Sequence, residues 1–152
     1  MYRRIRRPKD QEELYSKLTD QGEFGIFSTY KDVFMAAGVL GFIEKKRREF
    51  TTTLEGINWN IFNLETDETV INAVAISESG DPKLVNTDED SFDAKMEIFE
   101  EYAAGGVEIL YKRVMEDPKK ALNLYIELIM SMEAETSAKE RNLRDIADLL
   151  TF

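Results

Sequence analysis

Hydrophobic positions along most of the chain recur every three to four residues, the spacing of one face of an α-helix. A capping pattern beginning at Asp10 predicts a helix over about 11–19, and another beginning at Thr29 predicts a helix that closes near Gly41. Later segments bring the prediction to five or six helices, with starts at Thr66 or Asp67, at the acidic segment near 88, at Asp117 and Pro118, and at Thr136 or Ser137.

The long helical segment that begins near 88 contains a glycine pair, Gly105 and Gly106. Each glycine inside a helix costs about 1 kcal/mol relative to alanine. The pair therefore marks either a kink or a place where another helix approaches closely, and the pattern alone leaves both interpretations open.

Two parts of the chain lack a helical period. Residues 1–7 alternate weakly between apolar and basic positions, and Pro8 favours an extended arm or short strand before it. The β-branched residues after Phe50 fit a strand or an ordered loop, and the spacing of the apolar group around Trp59 fits either a strand or a helical turn. We therefore predict a mainly α fold, a compact helical bundle with room for a short N-terminal strand or arm and a small β element near residues 48–62.

The chain of 152 residues is long enough for one domain with a substantial core, and 43% of its residues are hydrophobic. We find no repeat, low-complexity tract or long linker, and predict a single domain, 1–152. Charge divides this domain into two parts. The basic N-terminal part, 1–52, carries 11 Lys and Arg against 8 Asp and Glu, whereas the acidic helical part, 53–152, carries 9 against 22.

The composition lacks both Cys and His. Their absence excludes disulfides, thiolate catalysis, zinc sites that need Cys, and the Ser-His-Asp triad. Without a Gly-rich phosphate loop or a distinctive carboxylate pair, we predict no enzyme activity, no catalytic residue, and no cofactor or metal.

No apolar run reaches the roughly 18 to 20 residues that span a bilayer, and the N-terminus lacks the apolar stretch of a signal peptide. We therefore predict a cytoplasmic protein without a membrane partner.

Two basic clusters bracket the first two predicted helices. If those helices pack as a hairpin, both clusters would lie at one end and could contact DNA phosphates. Charge runs are more often solvated faces, however, and these clusters could instead pair with the acidic part of the chain. Tyr2 and Phe50 lie within the basic stretches and suit either stacking on bases or anchoring to the core. The predicted nucleic-acid-binding residues are Arg3, Arg4, Arg6, Arg7, Lys9, Lys45, Lys46, Arg47 and Arg48.

Acidic clusters offer a weaker case for a metal site. The run that begins at Asp88 does not match a calcium loop, because Asp93 stands where that loop needs glycine. An acidic helix N-terminus explains this run better. Glu97, Glu100 and Glu101 share a helical face, which we interpret as a solvated stripe rather than a metal site, since no partner helix carries the rest of a ligand set.

Three stretches together resemble a known family: RRIRRPKDQEEL, GIFSTYKDVFMAAGVLGF with the following KKRR, and IFEEYAAGGVEIL. In this order they resemble DNA phosphorothioation-associated protein 4, also called dnd-system-associated protein 4, from Arg3 to about Met130. The resemblance implies a place in bacterial and archaeal systems that replace a non-bridging phosphate oxygen of DNA with sulfur. Those systems use the mark to distinguish host DNA from invading DNA. The family pattern supplies no catalytic residue to carry over.

The leading hypothesis is a non-enzymatic accessory or regulatory protein of a phosphorothioation-linked phage-defence system, contacting DNA or a DNA-bound partner through the two basic clusters. The alternative is a protein-interaction module that uses its acidic helices and does not bind DNA directly. A third hypothesis, an enzyme using carboxylates and a divalent metal, would place the metal near Asp88 to Asp93 or Glu97 to Glu101. Partners would be DNA, other proteins of the modification-restriction system, or both, and a homo-oligomer is compatible with the sequence.

Overall fold

A computed structural model describes residues 2–134. These residues fall into two compact units, divided after Lys112. Their structure is mainly helical, as the hydrophobic pattern predicts, and the described part contains no sheet. The predicted helix from Thr136 or Ser137 lies outside the described residues. The described helices are α1 (Glu12–Thr19), α2 (Tyr30–Ile43), α3 (Asp67–Ser79), α4 (Glu89–Val114) and α5, which is helical from 121 to 134.

Side-chain caps explain where two of the long helices begin. The hydroxyl of Thr29 accepts a hydrogen bond from the backbone N–H of Asp32 at 3.2 Å, and α2 starts at the next residue after Thr29. The carboxylate of Asp88 accepts from the backbone N–H of Ser91 at 3.0 Å immediately before α4. The acidic run at 88 is therefore used as a helix N-terminus, as the sequence indicates.

Helices α2 and α4 touch through their backbones at glycine positions. A Cβ built at Gly41 would overlap the carbonyl oxygen of Tyr102, and one built at Gly106 would overlap the carbonyl oxygen of Ala37. The glycine pair therefore marks a close helix contact, and α4 continues as a helix through it. This contact sets α4 directly against α2 in the core of the first unit.

Aromatic side chains fill the space around this contact. Phe34 of α2 is fully buried, with its ring centroid 5.2 Å from that of Phe99 and 5.9 Å from that of Phe62. The ring of Trp59 stacks on Phe62 at 4.8 Å, within a short 3-10 turn, Trp59–Ile61. Of the apolar group that fits either a strand or a helical turn in the sequence, Trp59 and Ile61 therefore lie in a helical turn.

The N-terminal arm is extended and pairs with the chain that follows α2. Isolated antiparallel bridges join Ile5 to Ile57 and Pro8 to Thr53. The N–H groups of Ile5 and Ile57 donate to each other's carbonyl oxygens at 2.8 and 2.9 Å, and the side chain of Ile5 is fully buried. The predicted arm and the segment of the predicted small β element therefore pair with each other through these two isolated bridges.

Within the described residues, no helix combines the length and the apolar character needed to cross a membrane.

Candidate nucleic-acid interface

Two arginines of the N-terminal arm, Arg3 and Arg6, bind the buried carboxylate of Glu100 on α4. Glu100 is 1% exposed, and its two oxygens accept from the two terminal nitrogens of Arg3, each at 2.8 Å. It also accepts from the side chain of Arg6 at 3.4 Å and from the backbone N–H of Arg6. Asp93, about two turns earlier on the same face of α4, lies 3.4 Å from Arg3. This carboxylate therefore holds the arm on α4 with charge-assisted hydrogen bonds.

The pKa of Arg3 reflects the same arrangement. Partial burial alone would lower it, but the hydrogen bonds and charge of Glu100, with the nearby charge of Asp93, raise it above its ordinary value. The partly exposed Arg3 guanidinium is thus held in its charged form by the carboxylates of α4.

Arg7 and Arg4 also have partners within the molecule. Arg7 is buried, pairs with Glu12, and its guanidinium carbon lies 4.9 Å from the ring centroid of Tyr15 and 4.6 Å from that of Tyr30. Arg4 is exposed and donates to the carbonyl oxygen of Gly56 at 2.8 Å. Its ion pair with the exposed Glu55, at 3.7 Å, contributes little in water.

Arg47 of the second cluster also binds carboxylates, one on α4 and one on α3. The Nε of Arg47 donates to Glu101 at 2.7 Å, and its Nη1 donates to Glu78 at 3.1 Å. Glu78 also accepts from the hydroxyl of Tyr102, and this hydrogen bond, followed by that from Arg47, lowers the pKa of Glu78. Burial and the same carboxylate raise the pKa of Tyr102 to about 12.

Arg48 joins the two basic clusters. Its guanidinium donates to Asp10 at 2.6 Å and to Glu108 of α4 at 3.1 Å, while its backbone N–H donates to the carbonyl oxygen of Glu101 at 2.9 Å. Asp10 follows Lys9 in the chain, so Arg48 brings the second cluster beside the end of the arm.

Two grooves meet at Arg48. One, of about 650 Å³, lies between the end of the arm and residues 48–52, with Lys9 and Phe50 in its lining. The other, of about 390 Å³, lies between residues 45–48 and α4, at Gly105 and Glu108. The grooves bring Lys9 near residues 45–48, whereas Arg3 and Arg6 are held at Glu100.

The prediction that Glu97, Glu100 and Glu101 form one solvated stripe is wrong for Glu100 and Glu101. Glu97 is exposed, but Glu100 and Glu101 are buried because arginines neutralise them. In the described part of the chain, no group of three or more acidic side chains is arranged to hold a metal ion.

Three lysines of the predicted site differ from the arginines. Lys9, Lys45 and Lys46 are exposed, and within the described residues their side chains have no ion pair. We call these lysines, together with the partly exposed Arg47 and Arg48, the lysine surface. Asp10, Glu49 and Glu108 line the same grooves, so the surface is mixed in charge with an excess of cations.

Lys45 has an unusual backbone conformation for its side chain. It follows the end of α2 with φ of 55°, in the left-handed region. The N–H groups of Lys45 and Lys46 donate to the carbonyl oxygens of Phe42 at 3.3 Å and Gly41 at 2.8 Å, which closes the helix as a Schellman motif. Glycine is the residue that this position favours, because a side chain there costs roughly 1–2 kcal/mol.

The two aromatic residues of the basic stretches have separate places. The ring of Tyr2 stacks on that of Phe92 with centroids 4.1 Å apart, and its hydroxyl donates to the carbonyl oxygen of Thr87. Tyr2 therefore anchors the arm to α4. Phe50 is half-buried in the larger groove beside Lys9, where part of its ring remains accessible.

Sequence comparison identifies one related family. The model of a family described as DNA sulphur modification system-associated protein 4 matches residues 4–149. Neither the curated proteins nor the solved structures include a significant match.

Proposed function

Because this chain belongs to the family of DNA sulphur modification system-associated protein 4, we propose that it is a non-enzymatic accessory protein of such a system. In this proposal it contacts DNA, or a DNA-bound partner, through the lysine surface. The arginines of the arm have a structural role and do not contact phosphate. The lack of His and Cys supports a role without catalysis of its own.

The conformation of Lys45 is the observation that carries this proposal. Folding alone favours glycine at this left-handed position, yet the chain has an exposed lysine there. A residue held in a costly conformation points to a function for its side chain. A lysine at the end of a rigid helix, beside Lys46 and Arg47, suits contact with the phosphates of DNA.

The expected footprint on DNA is small. Within residues 2–134 the side chains of Lys9, Lys45 and Lys46 have no ion pair, and Arg47 and Arg48 each have an exposed edge. Three to five phosphate contacts correspond to a loss of affinity of about 40-fold to 500-fold between 50 and 200 mM salt. With a net charge of -10, the chain would bind DNA weakly unless a partner protein holds it there.

The test is a titration of a short duplex DNA at about 50 mM salt with two charge-matched variants. One carries Lys45→Gln and Lys46→Gln, and the control carries Lys17→Gln and Lys83→Gln, which remove two exposed lysines outside the lysine surface. We expect the first variant to bind at least tenfold more weakly than the control. Equal affinities of the two variants would reject contact through the lysine surface, and no binding by the unmodified protein would reject direct DNA contact.

The alternative function is a protein-interaction module without DNA contact. Its support is the N-terminal end of α4, where Asp88, Asp90 and Glu97 are exposed and offer a surface for a basic partner. Purified proteins of the same modification system can be tested for binding to the chain and to its Lys45→Gln, Lys46→Gln variant. Binding that survives in this variant but is lost with Asp90→Asn and Glu97→Gln would favour the alternative.

A further inference from the structure

A second residue in the described part of the chain combines an exposed side chain with a left-handed backbone. The backbone φ of Phe24 is 74°, and the residue is 49% exposed. A bulky side chain is a clear outlier in this region, where glycine or asparagine costs less. Phe24 therefore exposes an aromatic ring at a position where folding alone favours a small or polar residue.

The loop around Phe24, residues 20–25, is rigidly closed. The carbonyl oxygen of Asp20 accepts from the N–H groups of Glu23 at 2.9 Å and Gly25 at 2.8 Å. The carboxylate of Asp20 accepts from the N–H of Gly22 at 3.1 Å. A Cβ at Gly25 would overlap the backbone of Asp20, so Gly25 packs closely against the end of α1. The ring is thus presented from a preformed turn.

The charges beside the ring define the kind of partner that fits it. Glu23 directly precedes Phe24 and Asp20 begins the same loop; both are exposed, and Gln21 and Gly22 add no positive charge. An aromatic ring that is already fixed in place loses little conformational entropy when it enters a pocket. The carboxylates of the loop favour a pocket bordered by Lys or Arg.

We propose that the 20–25 loop docks into a partner protein of the same DNA sulphur modification system, with Phe24 in an apolar pocket edged by basic side chains. This inference rests on the proposed accessory function. It assigns protein binding to a site distinct from the lysine surface, so one chain would carry a contact to protein and a contact to DNA.

The test is calorimetric titration of the full chain against each other purified protein of its modification system. The variants are Phe24→Asn, which suits the left-handed turn, and the control Leu64→Asn, which removes an exposed apolar side chain from an ordinary backbone conformation. We expect one protein to bind, with Phe24→Asn at least tenfold weaker and Leu64→Asn unchanged. The thermal midpoint of Phe24→Asn should equal or exceed that of the unmodified chain.

Three outcomes would overturn the docking proposal. They are binding of Phe24→Asn with unchanged affinity, the absence of any binding protein in the system, and a thermal midpoint of Phe24→Asn below that of the unmodified chain. The last result would make the ring a packing residue. Duplex DNA binding measured with Phe24→Asn should be unchanged, so failure of this proposal is distinguishable from failure of the proposed DNA contact.

Discussion

Replacing Glu100 by glutamine isolates the ionic contact that holds the N-terminal arm on α4. The substitution keeps the shape of the side chain but removes its charge and turns one acceptor oxygen into an amide donor. That amide would face the guanidinium of Arg3 and the backbone N–H of Arg6, which now donate to Glu100. The variant therefore leaves donors without acceptors in a buried place.

The magnitude follows from burial. Breaking a buried ion pair by removing one partner costs about 3–5 kcal/mol. Here the carboxylate is buried, but the side chains of Arg3 and Arg6 are 28% and 43% exposed and can gain hydration when the arm loosens. We therefore expect Glu100→Gln to lower the free energy of unfolding by about 2–3 kcal/mol.

Urea unfolding at pH 7 is the assay. Trp59 is the one tryptophan of the chain and packs in the first unit, so its fluorescence reports on unfolding there. With a slope of about 2 kcal/mol per molar urea, the midpoint should fall by roughly 1–1.5 M. The matched control is Asp93→Asn, which removes the same charge from an exposed position 3.4 Å from Arg3 and should cost less than about 1 kcal/mol. Equal effects of the two substitutions would refute the role assigned to Glu100.

Three further substitutions test other parts of the structure. Lys45→Gly should raise the free energy of unfolding by about 1 kcal/mol, because glycine removes the strain of the left-handed conformation. The thermal midpoint should rise accordingly. Gly106→Ala should lower stability in urea by about 3 kcal/mol or prevent folding, because its methyl group would overlap the carbonyl oxygen of Ala37. Tyr102→Phe should destabilise the protein by about 1 kcal/mol at pH 7, because it removes the hydrogen bond that lowers the pKa of Glu78. A carboxyl group whose folded pKa is lowered stabilises the fold above its unfolded pKa, and this contribution is lost as pH falls through the folded pKa. The stability difference between Tyr102→Phe and the unmodified chain should therefore shrink as the pH falls below the ordinary pKa range of a glutamate side chain.

Each of these expectations has a contradicting result. A lower midpoint for Lys45→Gly would mean that the lysine side chain stabilises the turn. Gly106→Ala should be compared with Gly22→Ala, where an added Cβ would make only ordinary contact, 3.4 Å from Asp20, and equal effects would deny the close helix contact. A Tyr102→Phe difference that stays constant from pH 7 to pH 3 would rule out the assigned link to Glu78.

Local patterns predict the helices well because their causes are local. The hydroxyl of Thr29 and the carboxylate of Asp88 cap helices from within three residues, and apolar spacing marks the buried face of α2. The sequence leaves two interpretations of the glycine pair at 105 and 106, a kink or a close helix contact. The close contact becomes visible only with the position of α2.

The roles of individual cations could not be predicted in the same way. Arg3 and Glu100 are 97 residues apart, and their pairing depends on where the arm lies along α4. Nothing in the sequence separates Arg3, which is bound to a buried carboxylate, from Lys45, which is exposed. Acidic residues at helical spacing within the apolar face of α4, such as Glu100 beside Phe99, were the available signal for buried ion pairs. The left-handed conformations of Phe24 and Lys45 had no signal, since neither residue is one that favours them.

The division between the structural arginines of the N-terminal arm and the DNA-contacting lysine surface is tested most directly by the salt dependence of duplex DNA binding. The logarithm of the association constant, plotted against the logarithm of salt concentration, falls with a slope of about -0.9 for each phosphate contact. If the lysine surface alone contacts DNA, with three to five cations, the slope should lie between about -2.7 and -4.5. A slope near -8, expected if all nine basic residues of the two clusters contact phosphate, would contradict the account, as would the absence of binding at low salt.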